Sequence, residues 1–89
     1  MKTFRAHLEE KLQDEDFKEL FDEERELVRI GLELAEERAA RGMSQTELAR
    51  RAHVTQQQVS KIENGVNCNV LTFLKVCRVL GLACKLNRR

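Results

Sequence analysis

The sequence predicts an all-α fold: a five-helix domain preceded by an acidic helical arm and followed by a short C-terminal strand. Three observations carry that expectation. The 89 residues include no Pro, Trp or Tyr and only four Gly, with 35% charged, a balance that suits amphipathic helices around one small core. Apolar residues recur at three- and four-residue intervals over most of the chain. Polar capping residues stand just before such stretches and Gly residues just after them.

Phe4, Leu8 and Leu12 recur every four residues, so Lys2 to Lys11 predicts a short amphipathic helix. Gln13 to Asp16 interrupts the pattern, Asp14 can cap the next segment, and Phe17, Leu20 and Phe21 form a second apolar stripe. With about two turns each, neither segment is stable alone in water. Their apolar residues either pack back on the body or serve as anchors in another protein's groove, and composition leaves both open. From about Glu23 to Arg41 runs the longest helix, with Leu27, Ile30, Leu34, Ala35 and Ala39 on one face. Glu33 with Arg29 and Glu37 with Arg41 can pair along it. Gly31 lies inside this helix at a cost of about 1 kcal/mol relative to Ala, which allows close packing there. Gly42 ends the helix and Met43 enters the core.

The stretch SQTELARRAHVTQQQVSKIENG, residues 44–65, organises the rest. Ser44 and Glu47, then Thr55 and Gln58, each have the spacing of a capping box. Two short helices joined by a tight turn are expected. Leu48, Ala49 and Ala52 make the inner side of the first, and Val59 and Ile62 that of the second. Val54 staples the second helix at its start, and Gly65 closes it. Gln56, Gln57, Gln58, Ser60, Lys61, Glu63 and Asn64 are left pointing outward. A helix with a Gln-rich outer face, held from behind by a few apolar residues, suits the DNA major groove. Asn69 then caps a helix over Val70 to Leu80 whose apolar face is Val70, Phe73, Leu74, Cys77 and Leu80, and Gly81 ends it. Leu82, Cys84 and Leu86 alternate with Ala83 and Lys85, a strand signature. A lone strand must pair with something, and in a homodimer the obvious partner is its own copy.

The formal charge of +1 hides an asymmetry. Residues 1–26 hold ten acids and five bases, for −5, whereas residues 27–89 hold eleven bases and five acids, for +6. The organisation expected is therefore an acidic arm over 1–22, a DNA-binding domain over 23–81, and a dimer-contacting strand and basic tail over 82–89. A monomer this small is marginal, which also favours a dimer. Cys68, Cys77 and Cys84 are odd in number and match no metal-binding spacing, so they are expected reduced and structural, with no metal or cofactor. There is no Ser-His-Asp set, metal cluster or Gly-rich phosphate loop, and the two His stand apart, so no enzymatic activity is expected. No apolar run approaches the length of a membrane span, and a cytoplasmic protein is expected.

Residues 44–65 resemble the Cro/repressor helix-turn-helix family, the XRE group, with TQQ and ENG closest to lambdoid phage repressors; the likeness extends over about 33–82. The resemblance implies that Gln56 and Gln57 read base edges with Lys61 as a third reader, and that Gln45, Asn64 and Asn69 grip phosphate. It further implies a homodimer on a palindromic operator in double-stranded DNA. Two departures stand out. His53 occupies a turn position that is usually Gly, and the loop after Gly65 lacks Lys and Arg, which implies greater reliance on dimerisation. The arm LxDEDFKELFDEERELVRIGLELAEER before such a domain resembles HigA-type antitoxins, partners of RelE-like ribonuclease toxins. The end LTFLKVCRVLGLACKL is similar to HipB-type antitoxins, whose terminal strand pairs across the dimer, here through Leu82, Cys84 and Leu86. On that resemblance Phe4, Leu8, Leu12, Phe17, Leu20 and Phe21 bind a basic toxin, and the chain is an autorepressing antitoxin. The alternative is a stand-alone dimeric repressor. A pure protein-interaction module of the coactivator kind fits the basic recognition face less well.

Overall fold

The computed structural model describes residues 15–86, so the arm helix expected over Lys2 to Lys11, with Phe4, Leu8 and Leu12, lies outside the described residues. Among the described residues there are four helices: α1 (Glu15–Ala40), α2 (Gln45–Ala52), α3 (Gln56–Glu63) and α4 (Val70–Val79). The fold is all-α, as expected, but with four helices among the described residues where five were expected for the domain alone, and with two local corrections.

The first concerns α1. Phe17, Leu20 and Phe21 do not form a separate element but the opening turns of one helix of 26 residues, about 39 Å long. The cause is legible in hindsight: between Glu15 and Gly31 there is no Gly or Pro, and the spacing Phe17, Phe21, Glu24, Leu27 never leaves helical phase. The second concerns the end of the chain. Residues 82–86 form no strand; they leave α4 as irregular backbone. Alternation alone supplies no hydrogen-bond partner, and no neighbouring strand exists among the described residues to provide one.

The helix ends share one device. The amides of Met43, Val54, Val66 and Leu82 reach back to the carbonyls of Arg38, Ala49, Lys61 and Cys77 at 2.9–3.1 Å, the Schellman closure that needs a left-handed residue just before. Gly42, Gly65 and Gly81 supply it for α1, α3 and α4, and His53 supplies it for α2 at φ 57°, ψ 42°. His53 is the single non-Gly residue with positive φ among those described. It takes the place of the Gly usual in this turn, at some strain.

The core sits where α1, α2, α3 and α4 meet. Leu34, Leu48, Ala49, Ala52, Val59, Ile62, Val76, Cys77 and Leu80 are buried, with Ile30, Met43, Val54 and Phe73 packed against them. Most of these were expected. Ala39 is instead exposed. In α4 the inward face is Thr72, Val76, Cys77 and Leu80, while Val70 (72% exposed) and Leu74 point outward. The face is rotated by about one residue from the expectation, because the apolar residues of α4 nearly encircle it and periodicity alone does not choose a side.

Candidate nucleic-acid interface

Thr55 opens α3 with a complete capping box. Its Oγ1 accepts from the Gln58 amide at 3.1 Å, and Gln58 Oε1 accepts from the Thr55 amide at 2.9 Å. Gln58 is thereby spent on the cap. Gln56 and Gln57 are adjacent and Lys61 lies about one turn on; all three are exposed, and with half-buried Ser60 they line one shallow depression on the outer side of α3. All three residues expected to read bases thus share a surface. Two primary amides can each offer a donor and an acceptor to an adenine edge, and the ammonium of Lys61 suits guanine acceptors.

The second expected capping box is half made. Ser44 Oγ accepts from the Glu47 amide at 3.0 Å, but the Glu47 carboxylate turns away to Arg50 at 2.7 Å and Arg51 at 2.8 Å. Charge-assisted bonds to two guanidinium groups outcompete one neutral amide. Hydrogen bonds from Arg50 and then Arg51 hold the Glu47 carboxyl down at about 2.

Behind the reading face lies a network that local spacing does not reveal. Glu63 does not point outward. Its side chain is 7% exposed and accepts from Arg38 Nε at 2.7 Å and Nη2 at 3.0 Å. Arg38 also donates to the Met43 carbonyl at 2.7 Å, and Gln45 Nε2 donates to Glu63 Oε1 at 3.1 Å. The hydrogen bond to Glu63 raises the Arg38 pKa against the opposing effect of burial. The Arg38–Glu63 pair therefore ties together the end of α1, the α1–α2 turn, the first residue of α2 and the last residue of α3. A signal was present: Arg38 falls four residues after Leu34, on the core face of α1, where a charge requires a buried partner.

The residues expected to grip phosphate are partly engaged elsewhere. Gln45 is half-buried with its amide nitrogen held by Glu63, so its free capacity is the carbonyl oxygen and the amides of the α2 N-terminus. Asn64 folds back on α3, Nδ2 donating to the Ser60 carbonyl at 2.8 Å. Asn69 caps α4, Oδ1 accepting from the Leu71 amide at 2.7 Å. Both asparagines are exposed, at the two ends of the loop that leaves α3.

Two glycines set the position of α3. A Cβ added at Gly31 would lie 2.4 Å from the Ile62 carbonyl oxygen and 2.8 Å from that of Glu63. One at Gly65 would lie 2.7 Å from Val28 Cγ2. The close packing allowed by Gly31 is made against the backbone of α3. A model of the family described as "Helix-turn-helix" matches residues 34–85, more than half of the chain.

The chain belongs to the helix-turn-helix family, and its group is that of the XRE regulators. It is a DNA-binding transcriptional regulator. No curated protein matches it. The helix-turn-helix match begins at Leu34 and so leaves most of α1, residues 15–33 with their excess of acids, outside the family core.

Elsewhere the expected site residues are spread out. Leu20 is 53% exposed, while Phe17 and Phe21 are half-buried. Leu82 packs against the core, whereas Cys84 and Leu86 are exposed, Leu86 at 95%. The three cysteines are free thiols; Cys77 is in the core, and burial pushes the Cys68 and Cys77 thiols up. No described group of His, Cys, Asp and Glu could hold a metal ion, and no described helix is long and apolar enough to cross a membrane.

Proposed function

We propose that this helix-turn-helix protein is a cytoplasmic antitoxin: a homodimer that binds an inverted-repeat operator, represses its own operon and neutralises a basic RelE/HigB-like ribonuclease toxin. Its activity is binding, not catalysis. The observation that carries the DNA half is the shared exposure of Gln56, Gln57 and Lys61 on a helix whose rear is held by Glu63, Arg38, Gly31 and Gly65. Side chains presented from a rigid helix read bases with less ordering cost than side chains on a loop. Asn64, Asn69 and the α2 N-terminus with Gln45 would position the phosphates on either side.

Dimerisation is supported by apolar surface that one chain leaves uncovered: Leu86 in the terminal segment, and Val70, Leu71 (59% exposed) and Leu74 on α4. Cys84 and Leu82 adjoin Leu86 and would complete that contact. The toxin half rests on charge and exposure together. Residues 15–26 hold seven acids and two bases, and Leu20, with Phe17 and Phe21 beside it, offers anchors on an acidic helix. Phe4, Leu8 and Leu12 would extend the same surface.

One observation favours the second reading, a stand-alone dimeric repressor. Because α1 is unbroken, its acidic half is also a rigid extension of the core and could be purely structural. Footprinting on the upstream region of the gene tests the DNA reading: two protected half-sites about 10 bp apart, or a multiple of that, are expected. A single asymmetric half-site would refute the dimeric reading.

A further inference from the structure

An ion pair as deeply placed as Arg38 and Glu63, their side chains 19% and 7% exposed, contributes little to stability that apolar residues of the same volume would not. What it holds in place is more specific. Both carboxylate oxygens of Glu63 are used, Oε2 by Arg38 Nε and Oε1 by Arg38 Nη2 and Gln45 Nε2. A carboxylate only accepts, so Gln45 must turn its nitrogen towards it. The third corner of the guanidinium, Nη1, donates to the Met43 carbonyl, two residues before Gln45. Among the described residues no buried side-chain nitrogen or oxygen lacks a partner. Two bonds thus run from the pair to the start of α2, one to its backbone and one to its first side chain.

That start carries donors of its own. Ser44 Oγ accepts from the Glu47 amide and the Ser44 carbonyl from the Leu48 amide, so the amides of Gln45 and Thr46 point out of the helix end with no carbonyl four residues back inside α2. The base readers Gln56, Gln57 and Lys61 sit on a different helix. A duplex meets both sets in one register only if the start of α2 and the body of α3 keep a fixed separation. Charge matters at the same place. Glu63 sets a negative charge beside the α2 N-terminus, where it would repel a phosphate, and Arg38 offsets it.

We propose that Arg38 and Glu63 are positioning residues for DNA binding: through Met43 and Gln45 they clamp the α2 N-terminus to the end of α3, so that phosphate contact and base reading share one register. Neither residue touches the duplex; both act through the start of α2. The clamp rests on the reading of that helix start as a phosphate contact and deepens it by naming the residues that set its place.

The test compares full-length wild type, Gln45→Ala, the paired swap Arg38→Met with Glu63→Met, and all three changes together, on a duplex carrying the footprinted upstream site. The swap removes both charges and keeps most of the volume, so its thermal midpoint should equal or exceed that of wild type. Affinity for the duplex should nonetheless fall about 10-fold, and ethylation of one backbone phosphate that weakens wild-type binding should no longer matter. Gln45→Ala should cost about fivefold in the wild-type background, but less than about twofold on the swap, where its partner is already gone. A pair with a merely structural role would move the midpoint and leave the affinity of the folded chain alone. A folded swap that binds like wild type would overturn the proposal, as would a Gln45→Ala cost that is the same factor in both backgrounds. Should the swap not fold, Gln45→Ala decides by itself: a loss above about twofold at an unchanged midpoint supports the clamp, and a smaller one overturns it. Gln56→Ala separates the two readings. If it relaxes base preference while the swap binds normally, DNA reading by α3 stands and the clamp alone falls; if the wild-type chain protects no site, both fall.

Discussion

Gly31→Ala is the sharpest single perturbation, because two effects of opposite sign compete and the structure decides between them. In an exposed helix interior, Ala in place of Gly stabilises by about 1 kcal/mol. At Gly31 the added Cβ would meet the Ile62 carbonyl oxygen at 2.4 Å and the Glu63 carbonyl oxygen and carbon at 2.8 and 3.0 Å. All three atoms are backbone and cannot rotate away. Reaching a tight contact of roughly 3.2 Å requires α1 and α3 to part by roughly 0.8 Å at the crossing. A gap of that size forfeits about a quarter to a half of the well depth of each neighbouring contact, and Leu34 and Ile62 lie directly beside it. Overpacking of this kind costs about 1–3 kcal/mol. After the propensity gain, a net loss of up to about 2 kcal/mol remains, a fall of up to roughly 15 °C in thermal midpoint for a domain of this size. Operator affinity should fall too, since Ile62 and Glu63 belong to the recognition helix. Thermal denaturation followed by circular dichroism, with operator titration alongside, checks both. A midpoint equal to or above wild type would mean that α1 and α3 do not cross at Gly31.

Gln56→Ala and Gln57→Ala should each relax preference at one base pair, costing about 1–3 kcal/mol on the cognate site with little change on random DNA; a uniform loss over all sequences in a binding-selection assay would remove base reading from that residue. Arg38→Met should cost about 3 kcal/mol or more in urea denaturation, because it strands the Glu63 carboxylate, 7% exposed, with Gln45 as its remaining partner; a loss under 1 kcal/mol would contradict the burial. His53→Gly should raise stability by about 0.5–1 kcal/mol, since Gly adopts the left-handed turn without strain, and an unchanged or lower midpoint would count against that geometry. Glu47 titrates near 2 in the fold against an ordinary 4.5. A depressed carboxyl stabilises the fold above its unfolded value and loses that contribution as pH falls, so Glu47→Gln should flatten the acid limb of the stability curve between about pH 4.5 and 2. An identical acid limb in the variant would refute the pairing with Arg50 and Arg51.

The sequence was most legible where structure is local. The N-caps at Ser44, Thr55 and Asn69, the terminators at Gly42, Gly65 and Gly81, and the buried set Leu48, Ala49, Ala52, Val59 and Ile62 all appear as expected. Each depends on residues within one or two turns, where spacing alone fixes the geometry. The same holds for the exposure of Gln56, Gln57 and Lys61, a consequence of Val59 and Ile62 facing the other way. What escaped was set by partners distant in sequence. Glu63 was expected outward because its own helix places it beside Asn64, yet Arg38, 25 residues earlier, draws it in. The strand over 82–86 failed for the same reason: alternation is a local signal, whereas a strand exists only through a neighbour's hydrogen bonds.

The departure after Gly65 limits the phosphate grip of a single chain. With Asn64 and Asn69 turned onto their own helix ends and no Lys or Arg between Gly65 and Lys75, one protomer has few cations near α3 to neutralise phosphate. Affinity must then come from the amides at helix starts, from base contacts and, in the proposed dimer, from doubling the whole set. Such a regulator has little sequence-independent grip to lose, so its operator affinity should fall less steeply with salt than a contact set rich in Lys and Arg would give. Each phosphate neutralised by Lys or Arg adds about −0.9 to the slope of log affinity against log salt, so a total slope of only a few times that value is the measurable form of the inference. A much steeper slope would point to cations elsewhere, Lys75 and Arg78 on α4 being the first to substitute.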